Sequence, residues 1–139
     1  MNQYLLDTSA FWQGRINTSA GERIRDLGKT EALVACTPAI LEMLYGARNS
    51  REWATMRGLF DGIPRVDLAD SVSAIDLQGA LARRGQHRTP IVDILVAATA
   101  AEHGLTVLHY DREFERLSEL TGGTHEWVIP PAPGIRCGH

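Results

Sequence analysis

Short apolar runs rich in Leu, Val and Ile alternate along this chain with longer stretches whose apolar residues recur at helical spacing. YLLD predicts a strand, the segment from there to about Lys29 a helical region, and ALVACT a second strand. PAILEMLYGAR and SREWATMRGLFDG predict helices, and a short PRVDL run leads into the helical SVSAIDLQGALARRG. PIVDILVAATAAEHG predicts a long helix, LTVLHY a strand, DREFERLSEL a helix and HEWVI a last strand. Such alternation predicts an α/β fold with a mainly parallel central sheet covered by helices on both faces. Gly62-Ile63-Pro64, Gly85 and Gly104 stand where helices should stop. The PPAPGIRCGH end, residues 130–139, is too rich in Pro and Gly to continue a strand, which predicts an extended tail after one domain over residues 1–129.

The acids gain meaning from this pattern. Thr37-Pro38 and Thr89-Pro90 carry the signature of helix starts, a capping hydroxyl followed by proline at the first helical position. Glu42 then lies about one turn into its helix and Asp93 in the first turn of the other, while Asp7 and Asp111 end strands and lead into helices. In a parallel sheet the carboxyl ends of strands and the amino ends of the following helices share one edge, where such folds bind ligands. All four acids fall on it.

Each acid has an ordinary role open to it. Asp7 and Asp111 suit turns or caps, Glu42 an exposed helix position, and Asp93 a first-turn position favoured by the helix dipole. Asp93 is set among Ile91, Val92, Ile94, Leu95, Val96, Ala97 and Ala98, so its helix is expected to be buried all round; a carboxylate there must be capped, paired or bound to a cation. Clustered carboxylates repel one another, so four on one edge imply shared protons or a divalent cation. Oxygen donors without a Cys or His set suit Mg²⁺, or Mn²⁺ in its place, rather than zinc.

Composition narrows the rest. The net charge of -3 argues against a general affinity for nucleic acid, but setting aside four clustered acids leaves +1, so the remaining surface is neutral to slightly basic. Thirteen of the fourteen basic residues are arginine, which suits bidentate phosphate contacts. No stretch approaches the roughly 20 apolar residues of a membrane span, and MNQYLLD lacks the features of a secretory signal, so a soluble cytoplasmic protein is expected. Cys36 and Cys137 make neither a disulfide framework nor a metal cluster. His87, His103, His109, His125 and His139 are scattered without ligand spacing. Trp12, Trp53 and Trp127 suit either base stacking or core packing.

YLLDTSA, TPAILEMLYGAR, PIVDILVAATAAEHGLTVLHYD and DREFERL, in this order, resemble the PIN-domain ribonucleases, in particular the VapC-type toxins of bacterial toxin-antitoxin pairs. The resemblance spans nearly the whole chain. It implies a PIN-like three-layer fold and an acidic site of Asp7, Glu42, Asp93 and Asp111, with Asp7 and Asp93 as the direct metal ligands. Glu113 and Glu115 lie near that site in sequence, and Thr8 and Ser9 suit either orientation of Asp7 or of a metal-bound water, or, more simply, ordinary helix capping. The implied activity is Mg²⁺-dependent endonucleolytic cleavage of single-stranded or looped RNA, leaving a 5'-phosphate, by a homodimer that binds an antitoxin protein. Arg48, Arg51, Arg83, Arg84 and Arg88 are the candidate contacts for flanking RNA phosphates. AIDLQGALARRG equally suits a subunit contact.

Two other phosphate-handling folds gather acids in the same way. A receiver domain of two-component signalling needs paired acids after its first strand and a late lysine, whereas Thr8 follows Asp7 and no lysine follows Lys29. A haloacid-dehalogenase-type phosphatase needs an acid where Ser9 stands. The remaining rival is a PIN-like RNA- or protein-binding module without efficient hydrolysis.

Overall fold

The apolar runs do become strands, and the amphipathic stretches helices, in a computed structural model that describes residues 2–135. Their order is β1 (Tyr4–Leu6), α1 (Thr8–Ile16), α2 (Thr18–Lys29), β2 (Leu33–Val34), α3 (Thr37–Tyr45), α4 (Ser50–Asp61), α5 (Val72–Arg83), α6 (Ile91–His103), β3 (Thr106–His109), α7 (Glu113–Thr121) and β4 (Thr124–Trp127). The strands form one sheet in the order β2-β1-β3-β4, and every pair is parallel, as the alternation predicts.

The two central strands are almost wholly buried. Leu5 and Leu6 on β1 and all of Thr106–His109 on β3 are buried, because helices flank a sheet whose middle strands have no face left for water. Each large aliphatic side chain buried there contributes about 1.5–3 kcal/mol. PRVDL adds no strand, only a single parallel bridge from Ala35 to Arg65. Gly104 ends α6 at φ 65°, a left-handed conformation that disfavours any residue with a Cβ.

Several local expectations are corrected. The helical region before Lys29 is two helices, because the Asn17 side chain accepts from the Ala20 N–H and starts a new one. Neither threonine caps its helix. Cys36 stands at the head of α3, and the cap comes from Asp67, whose carboxylate accepts the Thr37 N–H and hydroxyl at 2.7 Å each. At α6 it is Pro90 that precedes the first helical residue, while the Thr89 hydroxyl donates back to the Gln86 carbonyl. Ile91 is 69% exposed, so α6 is not buried all round.

Residues 130–135 form neither helix nor strand; the Ala132 N–H donates to the Tyr110 hydroxyl and Arg112 Nε to the Ile135 carbonyl. Cys137 and His139 lie outside the described residues. Among the described residues no helix is long and apolar enough to cross a membrane.

Because Asp67 supplies the cap of α3, Asp67→Ala should lower stability by about 1 kcal/mol. Urea unfolding of the two proteins measures it, and an unchanged midpoint would mean that α3 needs no cap from this segment.

Candidate active site

Asp7 is where β1 becomes α1. Its N–H donates to the Leu108 carbonyl at 3.0 Å, and its own carbonyl accepts from Ala10 and Phe11 to open the helix. The side chain caps that helix: Oδ2 accepts the Ser9 N–H at 2.9 Å and the Ser9 hydroxyl at 2.5 Å. The same hydroxyl oxygen accepts the Tyr110 N–H at 2.8 Å, which ties the ends of β1 and β3 together. Oδ1 is buried and has no hydrogen-bond partner. Burial above all raises the Asp7 pKa to about 6, opposed by the two bonds from Ser9 and reinforced by the negative charges of Glu42 and Asp111. Three of the four acids are therefore within electrostatic reach of one another.

Glu42 and Asp111 line a cleft of about 360 Å³ with Thr8, Ser9, Trp12, Tyr45 and Gly46. Glu42 is half-buried in the middle of α3, not the fully exposed residue that its position in a helix allows, and its Oε1 is buried without a hydrogen-bond partner. Asp111 is 1% exposed; its Oδ1 accepts the Glu113 N–H, and its own N–H donates to His109 Nδ1. Asp93 is wholly buried in the first turn of α6. Its neighbour Val92, together with Leu95, lines a groove with Pro38, Leu41 and Glu42 of α3, so the first turn of α6 lies against the helix that carries Glu42.

Glu113 and Glu115 are held by arginines, Glu113 by Arg116 and Glu115 by Arg112. Their charges are thus met by neighbours one turn along α7. Among the described residues no three His, Cys, Asp or Glu side chains form a ready-made metal-binding group. Asp7, Glu42 and Asp111 form an open arrangement, and that is compatible with Mg²⁺, which keeps several waters and takes one or two carboxylates along with substrate phosphate oxygens. The buried Oδ1 of Asp7 and Oε1 of Glu42 are hard oxygen donors that fit such an ion.

A second cleft, about 590 Å³, shares Ser9, Trp12 and Gly46 with the first and is also lined by Gln13, Arg15, Ile16, Arg48, Glu52 and Tyr110. Arg48 is in it, paired with Glu52. Arg51, Arg83, Arg84 and Arg88 are exposed and line neither cleft; Arg84 reaches Glu119 at 4.0 Å. Sequence reasoning missed Arg15. Its guanidinium lies 5.7 Å from the ring centroids of both Phe11 and Trp12, and the i,i+4 and i,i+3 spacing in FWQGR was the available signal. Gly46 is needed for its smallness: a Cβ there would stand 2.5 Å from Trp12 Cζ2. Among the other tryptophans, Trp53 is 42% exposed on α4 and Trp127 packs edge-on to Tyr110.

The chain is similar to known proteins over most of its length. The PIN domain profile matches residues 4–120. The chain is 36% identical to Ribonuclease VapC51 of Mycobacterium tuberculosis over 134 residues, 92% of this chain and 94% of that protein. It is 34% identical to Ribonuclease VapC21 of the same organism, over 93% of this chain and 96% of the other. Its fold is similar to that in the crystal structure of DNA-bound VapBC from Salmonella typhimurium, with a TM-score of 0.75 and 23% identity over 93% of this chain and 100% of that one.

Two buried groups at this edge make stability depend on pH in opposite senses. Asp7 holds its proton to about pH 6 when folded but only to about 3.8 when unfolded, so its contribution to stability is full below about pH 4 and is lost as pH rises through 6. His109, wholly buried and in contact with His125, has its pKa lowered to about 3 by burial first and His125 second. Its contribution is full above about pH 6.5 and is lost as pH falls toward 3. Each slope should reach at most about 1.4 kcal/mol per pH unit. Urea unfolding between pH 4 and 7 in chelator should show Asp7→Asn losing stability faster than wild type on acidification. His109→Asn should lose it more slowly, and parallel curves for either variant would refute that assignment.

Proposed function

The chain belongs to the PIN-domain family, with VapC ribonucleases among its relatives, and on that premise we propose that it is a Mg²⁺-dependent endoribonuclease, the toxin of a toxin-antitoxin pair. The observation that carries this reading is the buried Asp7 Oδ1, which meets no protein donor although Glu42 and Asp111 add negative charge around it. A divalent cation is the partner that such an oxygen lacks.

Asp7 and Asp93 would hold the ion, with Mn²⁺ as a substitute. When bound, it supplies charge neutralisation at the reacting phosphoryl group and a more acidic water. The chain's own residues do the rest. Ser9 fixes Oδ2 of Asp7, leaving Oδ1 as the ligand atom. Glu42 Oε1 accepts a proton from a water brought within hydrogen-bond reach, and Asp111 orients that water from the other wall of the cleft. Arg48, and more remotely Arg51, Arg83, Arg84 and Arg88, meet flanking phosphates of a single-stranded or looped RNA. Cleavage leaves a 5'-phosphate and needs no nucleophilic side chain.

The partner is an antitoxin protein, and the VapBC name of the structural neighbour agrees with this. Val72 and Ile75, 54% and 65% exposed on α5, suit the homodimer contact. An RNA substrate and an antitoxin partner suit a cytoplasmic protein. A PIN-like RNA- or protein-binding module without efficient hydrolysis is the competing reading.

Purified protein with Mg²⁺ and mixed cellular RNA should give discrete cuts that disappear with chelator. Asp93→Asn keeps the shape and removes the charge, so it should slow cutting by about 100-fold or more while the urea midpoint shows a folded protein. Undiminished cutting in chelator would sink the metal-dependent mechanism, and comparable cutting by Asp93→Asn would relocate the site. No cutting by the wild-type protein would leave the binding module.

A further inference from the structure

The cleft beside the acidic one has a composition that hydrolysis alone does not require. Ser9, Trp12 and Gly46 line both clefts, so the two are continuous around the indole of Trp12. On the far side stand two guanidinium groups and one carboxylate. Arg48 donates to Glu52 Oε2 through Nε at 3.0 Å and Nη2 at 2.8 Å, and its N–H donates to Oε1. These bonds first, and the nearby charge of Arg15 last, hold Glu52 below the usual carboxylate range. Glu52 is the common neighbour of both arginines, and the trio carries a net positive charge.

Trp12 and Ile16 add apolar surface beside them. Ile16 is 81% exposed, and the guanidinium of Arg15 lies 5.7 Å from the Trp12 ring centroid. A guanidinium set over an indole makes a planar cationic shelf, a surface on which an unpaired base can stack while its phosphate meets the charge. Gln13, which also lines the cleft, offers an amide with both donors and an acceptor for the edge of that base. A paired base has its edge occupied and cannot use this surface in the same way.

Resting on the ribonuclease reading above, we infer that this second cleft is the subsite for one unpaired nucleotide next to the scissile phosphodiester. Arg15 and Arg48 bind its phosphate, the Arg15–Trp12 shelf takes its base, and Gln13 contributes to base preference. Glu52 is a positioning residue that sets Arg48. The subsite therefore selects single-stranded RNA and fixes which base stands beside the cut.

Two measurements on the full chain test this separately from hydrolysis. One is anisotropy binding of a fluorescent single-stranded heptaribonucleotide of mixed sequence, with Ca²⁺ in place of Mg²⁺; the other is cleavage with Mg²⁺, sequencing the cut ends. Arg15→Gln and Arg48→Gln should each weaken heptamer binding by about tenfold, as expected for loss of a charged hydrogen bond. In cleavage they should raise KM by a similar factor with a much smaller change in kcat. Gln13→Ala should flatten base preference at one position beside the cut. Heptamer binding that depends on Arg15 without any cutting would support the subsite and overturn the ribonuclease reading. Cutting with wild-type KM and base preference in both arginine variants would overturn the subsite and leave that reading intact. Equal binding of a duplex of the same length would also overturn it, and no RNA binding at all by the wild-type protein would overturn both.

Discussion

The hydroxyl of Ser9 joins two strands and one carboxylate. It donates to Asp7 Oδ2 and accepts from the Tyr110 N–H, so the end of β1, the start of α1 and the end of β3 share one oxygen atom. Asp7 is thereby fixed in a buried place that an isolated carboxylate would avoid, since removing a charge from water without a partner is strongly unfavourable. The cleft follows from this knot. Glu42 from α3 and Asp111 from the turn after β3 line it, both pressing negative charge toward a group that already resists ionisation. A protein selected for stability alone has simple alternatives at position 7, such as Asn, which caps a helix equally well.

The architecture was largely legible because parallel strands buried on both faces leave uninterrupted apolar runs, and YLLD, ALVACT and LTVLHY are such runs. What escaped was tertiary. Thr37 followed by proline has every local mark of a cap, yet Asp67, thirty residues on, reaches that helix end first. Asn17 was a local signal, a side-chain acceptor directly before Thr-Ser-Ala, but the helical pattern on either side concealed the break. Among the site residues, Asp7, Glu42 and Asp111 could be placed on one edge by counting strand and helix ends. Glu113 shows the limit of proximity in sequence: it lies two residues from Asp111, but Arg116 on its own helix takes its charge.

The basic walls were harder to read, for a physical reason. Thirteen arginines give too many candidates, and the charge count does not say which side of a helix faces the acids. Arg83, Arg84 and Arg88 attract notice as a run, whereas Arg15, isolated in the sequence, stands in the cleft because it lies one turn beyond Trp12 on the same face of α1. The helix that Asp7 caps thus also carries Arg15. One local motif serves both the acid floor and its cationic rim.

The sheet register has a kinetic meaning. β1 pairs with β3 through Tyr4 and Thr106, partners about a hundred residues apart along the chain, and both strands lie in the middle of the sheet. Closing so long a loop loses entropy before any contact compensates it, a cost that slows folding where strands pair over such separations. Asp7 and Asp111 ride on the ends of those same two strands. Until that pairing forms, Asp7 and Asp111 are held on separate parts of the chain, and the edge that carries them is complete only in the finished molecule.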